Sequence, residues 1–170
     1  MRIAVATVVL ALTVAGCGGG DNGSTAADQA AVTQQAEVVD TGGFGSAVTV
    51  GEGISVTLDG MADFTPSKFA TGYVTGDKAV TFNVTVANAS AAEIYASSLS
   101  MTATSGENTC AEVFDGDNGL EGAPADPIAK GGSATFKWAI TCGKAKSGDP
   151  LDVELSFDGA TSVKISGSLV

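Results

Sequence analysis

Val80-Thr81-Phe82-Asn83-Val84-Thr85-Val86 alternates a large apolar residue with a polar one at every step. Successive side chains of a β-strand point to opposite faces, so this period of 2 buries Val80, Phe82, Val84 and Val86 and leaves the others wet. The same pattern recurs on both sides of the run. Upstream, Val48 and Val50 flank Thr49, and Ile54, Val56 and Leu58 flank Ser55 and Thr57. Downstream, alternation returns at Leu99-Met101-Ala103, Phe136-Trp138-Ile140, Val153-Leu155-Phe157 and Val163-Ile165. Turn-forming clusters stand between the runs: Gly51-Glu52-Gly53, Thr75-Gly76-Asp77, Ser105-Gly106-Glu107-Asn108, Lys130-Gly131-Gly132, Ser147-Gly148-Asp149-Pro150 and Asp158-Gly159. About seven or eight short antiparallel strands, each with one apolar face, predict an all-β sandwich over residues 46–170. A closed barrel is the fold alternative. Helical periodicity of useful length is missing beyond residue 45.

The N-terminal region reads differently. Arg2 precedes an uncharged, mostly apolar run from Ile3 to Ala15. A helix needs roughly 20 residues to cross a bilayer core, so the run suits the h-region of a cleaved signal peptide, residues 1–16. Val14-Ala15-Gly16-Cys17 then resembles the bacterial lipobox. That resemblance implies cleavage before Cys17 and a diacylglycerol on its sulfur. Two acyl chains, at about 0.8 kcal/mol per buried CH₂, anchor stably where one is marginal. Gly18-Gly19-Gly20-Asp21-Asn22-Gly23-Ser24 follows, and residues 17–45 read as a flexible tether rich in Gly, Ala, Ser, Thr and Gln. Ala26–Val39 could form a short helix there, marginal without a partner face. The expected location is the outer face of the bacterial cytoplasmic membrane, held by lipid on Cys17.

From Cys17 onward 19 acidic residues face seven lysines, a net charge of −12 with no Arg and no His. Nucleic acid and anionic headgroups repel such a surface, so no nucleic-acid partner is expected. With no His, Ser- and Cys-dependent triads of the His type are ruled out, and no enzyme or cofactor is expected. Acid pairs such as Asp59/Asp63 and Asp115/Asp117 lack any sign of a sugar-sized cleft between them. With Cys17 assigned to lipid, Cys110 and Cys142 are left to pair as a structural disulfide in an oxidising compartment.

Val84-Thr85-Val86-Ala87-Asn88-Ala89-Ser90 and Lys130-Gly131-Gly132-Ser133-Ala134-Thr135-Phe136 together resemble segments of a bacterial immunoglobulin-like lipoprotein domain. Its members include actinobacterial surface lipoproteins and a small secreted mycobacterial immunoprotective antigen. Lys130 stands where that family usually has proline. The resemblance covers roughly residues 47–170 and implies a two-sheet immunoglobulin-like sandwich, but no reaction and no site residues.

Two places could carry chemistry or binding. Asp115-Gly116-Asp117-Asn118-Gly119-Leu120-Glu121 is the densest oxygen-rich stretch. Asp115, Asp117 and Glu121 are weak calcium candidates, with Asp126 at the twelfth position of an EF-hand-like count. Gly119 occupies a ligand position of that count and Leu120 the turn-glycine position, so an exposed loop is the simpler reading. The long segment Thr65–Gly76 carries Lys68, Phe69 and Tyr73, which either cap the core or face a partner. The leading expectation is a membrane-anchored, non-catalytic binding or interaction module acting on a protein or envelope component. A solute- or metal-binding lipoprotein serving a transporter, or a structural envelope protein, are the alternatives.

Overall fold

The computed structural model describes residues 40–159 and 162–170. In chain order its strands are β1 (Asp40–Gly43), β2 (Ala47–Gly51), β3 (Ile54–Asp63), β4 (Ala79–Asn88), β5 (Ile94–Tyr95), β6 (Leu99–Ser105), β7 (Asn108–Glu112), β8 (Pro127–Ile128), β9 (Ser133–Thr141), β10 (Pro150–Phe157) and β11 (Val163–Ser168). Two single 3-10 turns, Ala96–Ser98 and Gly116–Asn118, are the helical pieces among the described residues. The all-β sandwich expected from the alternation is present.

β4 realises its sequence pattern: Val80, Phe82, Val84 and Val86 are buried while Thr81, Asn83 and Thr85 are half-buried. It lies between β3 and β9, and the antiparallel register sets Phe82 against Trp138 and Val84 against both Leu58 and Phe136. A single nine-stranded order, β1-β11-β10-β6-β7-β9-β4-β3-β2, folds over on itself. β7 makes the fold-over. Asn108–Cys110 pair with β6, whereas Ala111 and Glu112 pair with β9. The Cys110–Cys142 disulfide sits at that change of partner, with Cα atoms 4.1 Å apart. β5 and β8 form a separate two-stranded piece whose Ile94 and Ile128 reach the core.

The core lies between the two halves. Leu151, Val153, Leu155, Val163 and Ile165 from β10 and β11 meet Val56, Leu58, Phe82, Val84 and Ile140, all essentially without exposure. Trp138 is buried with them, as its alternation requires.

Three features depart from the sequence reading. The boundary placed at residue 46 is too late, because Asp40–Gly43 forms β1 beside β11. This short strand has no apolar alternation to betray it, since pairing uses only backbone groups. Secondly, β1 and β11 run parallel, so the sandwich is not purely antiparallel. Thirdly, β1, β5, β7 and β8 raise the strand number among the described residues to 11. β1 and β2, at opposite ends of the strand order, are joined by the turn Phe44–Ser46. Phe44 meets Phe82 edge-on at 5.8 Å between centroids. Gly167 makes room for that ring, since a Cβ there would lie 2.6 Å from Phe44 Cδ2. The signal peptide, Cys17 and the Ala26–Val39 segment lie outside the described residues.

Candidate functional site

β9 is buried on both faces near its C-terminal end, where a one-faced strand would show alternate exposure. Ala139 points away from the main core yet has no exposure. A second, smaller apolar cluster explains this: Val113, Leu120 and Ala139, with Phe64, Ala70 and Tyr73 packed on them. It is formed by two connections laid over the outside of the sheet. One is the segment between β3 and β4, residues 64–78. The other runs from β7 to β8, residues 113–126. Loops this long without regular structure are uncommon in compact domains unless they carry function.

Polar contacts join the two. Thr71 and Phe114 exchange backbone hydrogen bonds of 2.9 and 3.1 Å. The Ser67 amide donates to Asp115 Oδ2 at 2.6 Å, the Ser67 hydroxyl to Oδ1 at 2.8 Å, and Asn118 Nδ2 to Oδ2 at 2.8 Å. The Ser67 amide above all, with Asn118 and the Ser67 hydroxyl, holds the Asp115 carboxyl below its ordinary range, against an opposing push from burial. Gly72, at φ +80°, lets the segment approach β7, because a Cβ there would overlap the Glu112 carbonyl oxygen.

Above this anchored layer the apolar side chains are open to solvent. Phe69 is 68% exposed, Val74 65% and Phe114 43%. Lys68 Nζ lies 4.8 Å from the centre of the Phe69 ring. The two sequence readings of this segment are thus divided between residues. Tyr73 packs on the small cluster, and Phe69 faces outward. The exposure of Phe114 had no sequence signal, since its neighbour Val113 is fully buried.

The calcium candidates do not converge. Asp115 is 2% exposed and its oxygens are taken by Ser67 and Asn118, whereas Asp117, Glu121 and Asp126 are exposed. Among the described residues no three His, Cys, Asp or Glu side chains gather as a metal site would require. The oxygen-rich stretch is a capping structure: the Asp115 acid fastens one loop to another. Asp59 accepts from Asn83 Nδ2 at 2.9 Å, and Asp63 pairs with Lys78. Each partner suits an orienting contact within the sheet.

The opposite end is organised by Asn88, 1% exposed. Its amide nitrogen donates to the carbonyls of Ala92 and Ile128, and its oxygen accepts from the Ser90 amide and hydroxyl. Beside it a groove of about 400 Å³ opens between Pro124–Ala129 and the start of β9.

No family model matches the chain, and no curated protein matches it in sequence. The sandwich is similar to a solved Bacillus subtilis protein described as a "putative lipoprotein", with a TM-score of 0.55 at 12% identity. That match takes in 71% of this chain and 38% of the Bacillus chain, and at such identity it shows the fold alone. A β-sandwich protein from Clostridium difficile, itself uncharacterized, aligns with a TM-score of 0.49 at 15% identity, over 76% of this chain and 95% of that one. Among the described residues no helix is long and apolar enough to cross a membrane.

Proposed function

We propose that this protein is an extracytoplasmic lipoprotein, anchored through lipid on Cys17, whose sandwich is a non-catalytic binding module of the cell envelope. The observation that carries the reading is Val14-Ala15-Gly16-Cys17, placed directly after a short apolar run and before a glycine-rich stretch. The description of the Bacillus protein as a lipoprotein, and the resemblance to actinobacterial immunoglobulin-like lipoproteins, support it. Phe69, Val74 and Phe114 supply the surface for binding: apolar side chains held out on anchored loops, at little cost in ordering them. The engagement of Asp115 by Ser67 and Asn118 and the dispersal of the other acids support the non-catalytic reading.

Palmitate labelling in a bacterial host tests the anchor. Wild-type protein takes up label and fractionates with membranes, and Cys17→Ser does neither; membrane retention of the variant refutes the lipid assignment. A photocrosslinking residue at position 69 tests the surface, with the same residue at position 55 as control. Saturable adducts specific to position 69 support the module. Equal or absent labelling at both positions removes this surface as its contact.

A further inference from the structure

We infer that the outer edge of β9 receives an extended segment of a partner protein, which adds to the sheet as a further strand. The inference goes beyond the binding-module reading, since this edge is a different surface from that of Phe69, Val74 and Phe114. In a strand the N–H and C=O of one residue face one neighbour and those of the next face the other. Gly132 O accepts from Asn88 and Cys142 N donates to Lys78 O, so even-numbered residues along β9 face β4. Ala139 O accepts from Val113 N on the other side, so odd-numbered residues face away from β4. β7 occupies that side only through Thr141, Ile140 and Ala139. Beyond Ala139 the chain leaves β9, because Phe114 turns to pair with Thr71. Ser133, Thr135 and Lys137 are therefore left, among the described residues, with no backbone partner on this edge. All three are exposed. Each offers one donor and one acceptor, over an edge of about 14 Å at the usual rise per residue.

An open edge of this kind takes extended backbone and little else, which sets the class of occupant. The place for it is shaped: a groove of about 400 Å³ is lined by Gly132–Thr135 together with Pro124, Pro127 and Ile128. Neither proline has an N–H to pair across the groove, so that lining does not close the edge. A second copy of this chain is the less suitable occupant. The sequence carries a net charge of −11, so two copies repel, and a neutral or basic segment does not. Apolar or small side chains suit this lining, and Asp126 within it disfavours acids.

The test uses a random dodecapeptide library displayed on phage, panned against the full chain, with Thr135→Pro as the edge-blocking variant. Because the Thr135 N–H faces away from β4, proline removes the docking donor and leaves the β4 ladder intact. Circular dichroism and the Trp138 emission verify that the variant folds; Ser133→Pro, at the first strand position, takes its place if it does not. Selected peptides should bind the wild type, weaken at least tenfold against the proline variant, and shift the amide resonances of Ser133, Thr135 and Lys137. Failure to select peptides, binding indifferent to the proline, or a concentration-dependent dimer through this edge in sedimentation each overturns the proposal. The position-69 crosslinks report on the binding module separately, so failure here and failure there are distinguishable.

Discussion

Asn88→Ala tests whether one buried amide holds the end of the sandwich together. The side chain makes four hydrogen bonds: to Ala92 O at 2.8 Å, to Ile128 O at 2.9 Å, from Ser90 N at 2.9 Å and from Ser90 Oγ at 2.6 Å. Their replacements differ. Ala92 is exposed and Ser90 half-buried, so water substitutes there and each loss is at the low end, roughly 0.5 kcal/mol. Ile128 is buried and its carbonyl keeps its ladder partner Ile94, so it loses a second donor where water does not replace it, at about 1.5 kcal/mol. The total is about 3 kcal/mol, or roughly 12 °C in Tm for a domain of this size. Urea unfolding followed through Trp138, the single tryptophan and a buried one, measures it directly. Asn88→Asp should cost at least as much. It keeps the acceptor toward Ser90 but turns acceptor oxygen toward two carbonyls that need a donor. A midpoint shift worth less than about 0.5 kcal/mol for the alanine variant, with an unchanged denaturant slope, refutes this reasoning.

Three further outcomes follow from the same structure. Ser105→Ala should be neutral or stabilising by up to about 1 kcal/mol, because Ser105 Oγ is buried without a hydrogen-bond partner among the described residues; a loss above about 1 kcal/mol in urea unfolding shows a partner was missed. Opening the Cys110–Cys142 link, by reduction or by the double serine variant, should cost about 3–4 kcal/mol from the freed loop, measured as a lowered urea midpoint; equal midpoints with and without reductant contradict it. Asp115 and Asp152 both titrate below their ordinary value of 3.8 when folded, the first through the Ser67 amide, the second through the hydrogen bond from Lys164. For a depressed carboxylate the stabilisation is present above the unfolded value and lost as pH falls through the folded one. Stability should therefore drop below about pH 4, with a shallower fall in Asp115→Asn; an identical acid limb in that variant rejects the assignment.

How far the fold was legible depends on the range of the cause. Alternation at β2, β3, β4, β6, β9, β10 and β11 is a property of neighbouring residues, and each of those strands stands where the pattern placed it. Asn88 is similar: it ends β4 and bonds Ser90 two residues on, a local habit of Asn, although the bond to Ile128, 40 positions away, has no local signature. β1 was invisible because Asp40-Thr41-Gly42-Gly43 carries no apolar alternation and its partner β11 is more than 120 positions away in the chain. Asp115, read as part of an exposed loop, is instead buried through a distant contact. Its neighbours look like calcium ligands, and only the arrival of Ser67, 48 residues earlier in the chain, turns the carboxylate into a clasp.

The proposed anchor and the pairing of Cys110 with Cys142 belong to the first kind of knowledge, since a lipobox-like tetrapeptide and a leftover pair of thiols are written in residue type and order. The surfaces belong to the second. Phe69 lies exposed while Tyr73, four residues on, packs inward, because both sit on a loop folded over the outside of the sheet. Ser133, Thr135 and Lys137 read simply as the wet side of a strand, and their open edge exists because β7 leaves β9 at Ala139. Periodicity tells a side chain which face to take; whether another strand or loop then arrives to cover that face or edge is a long-range outcome of how the whole chain packs.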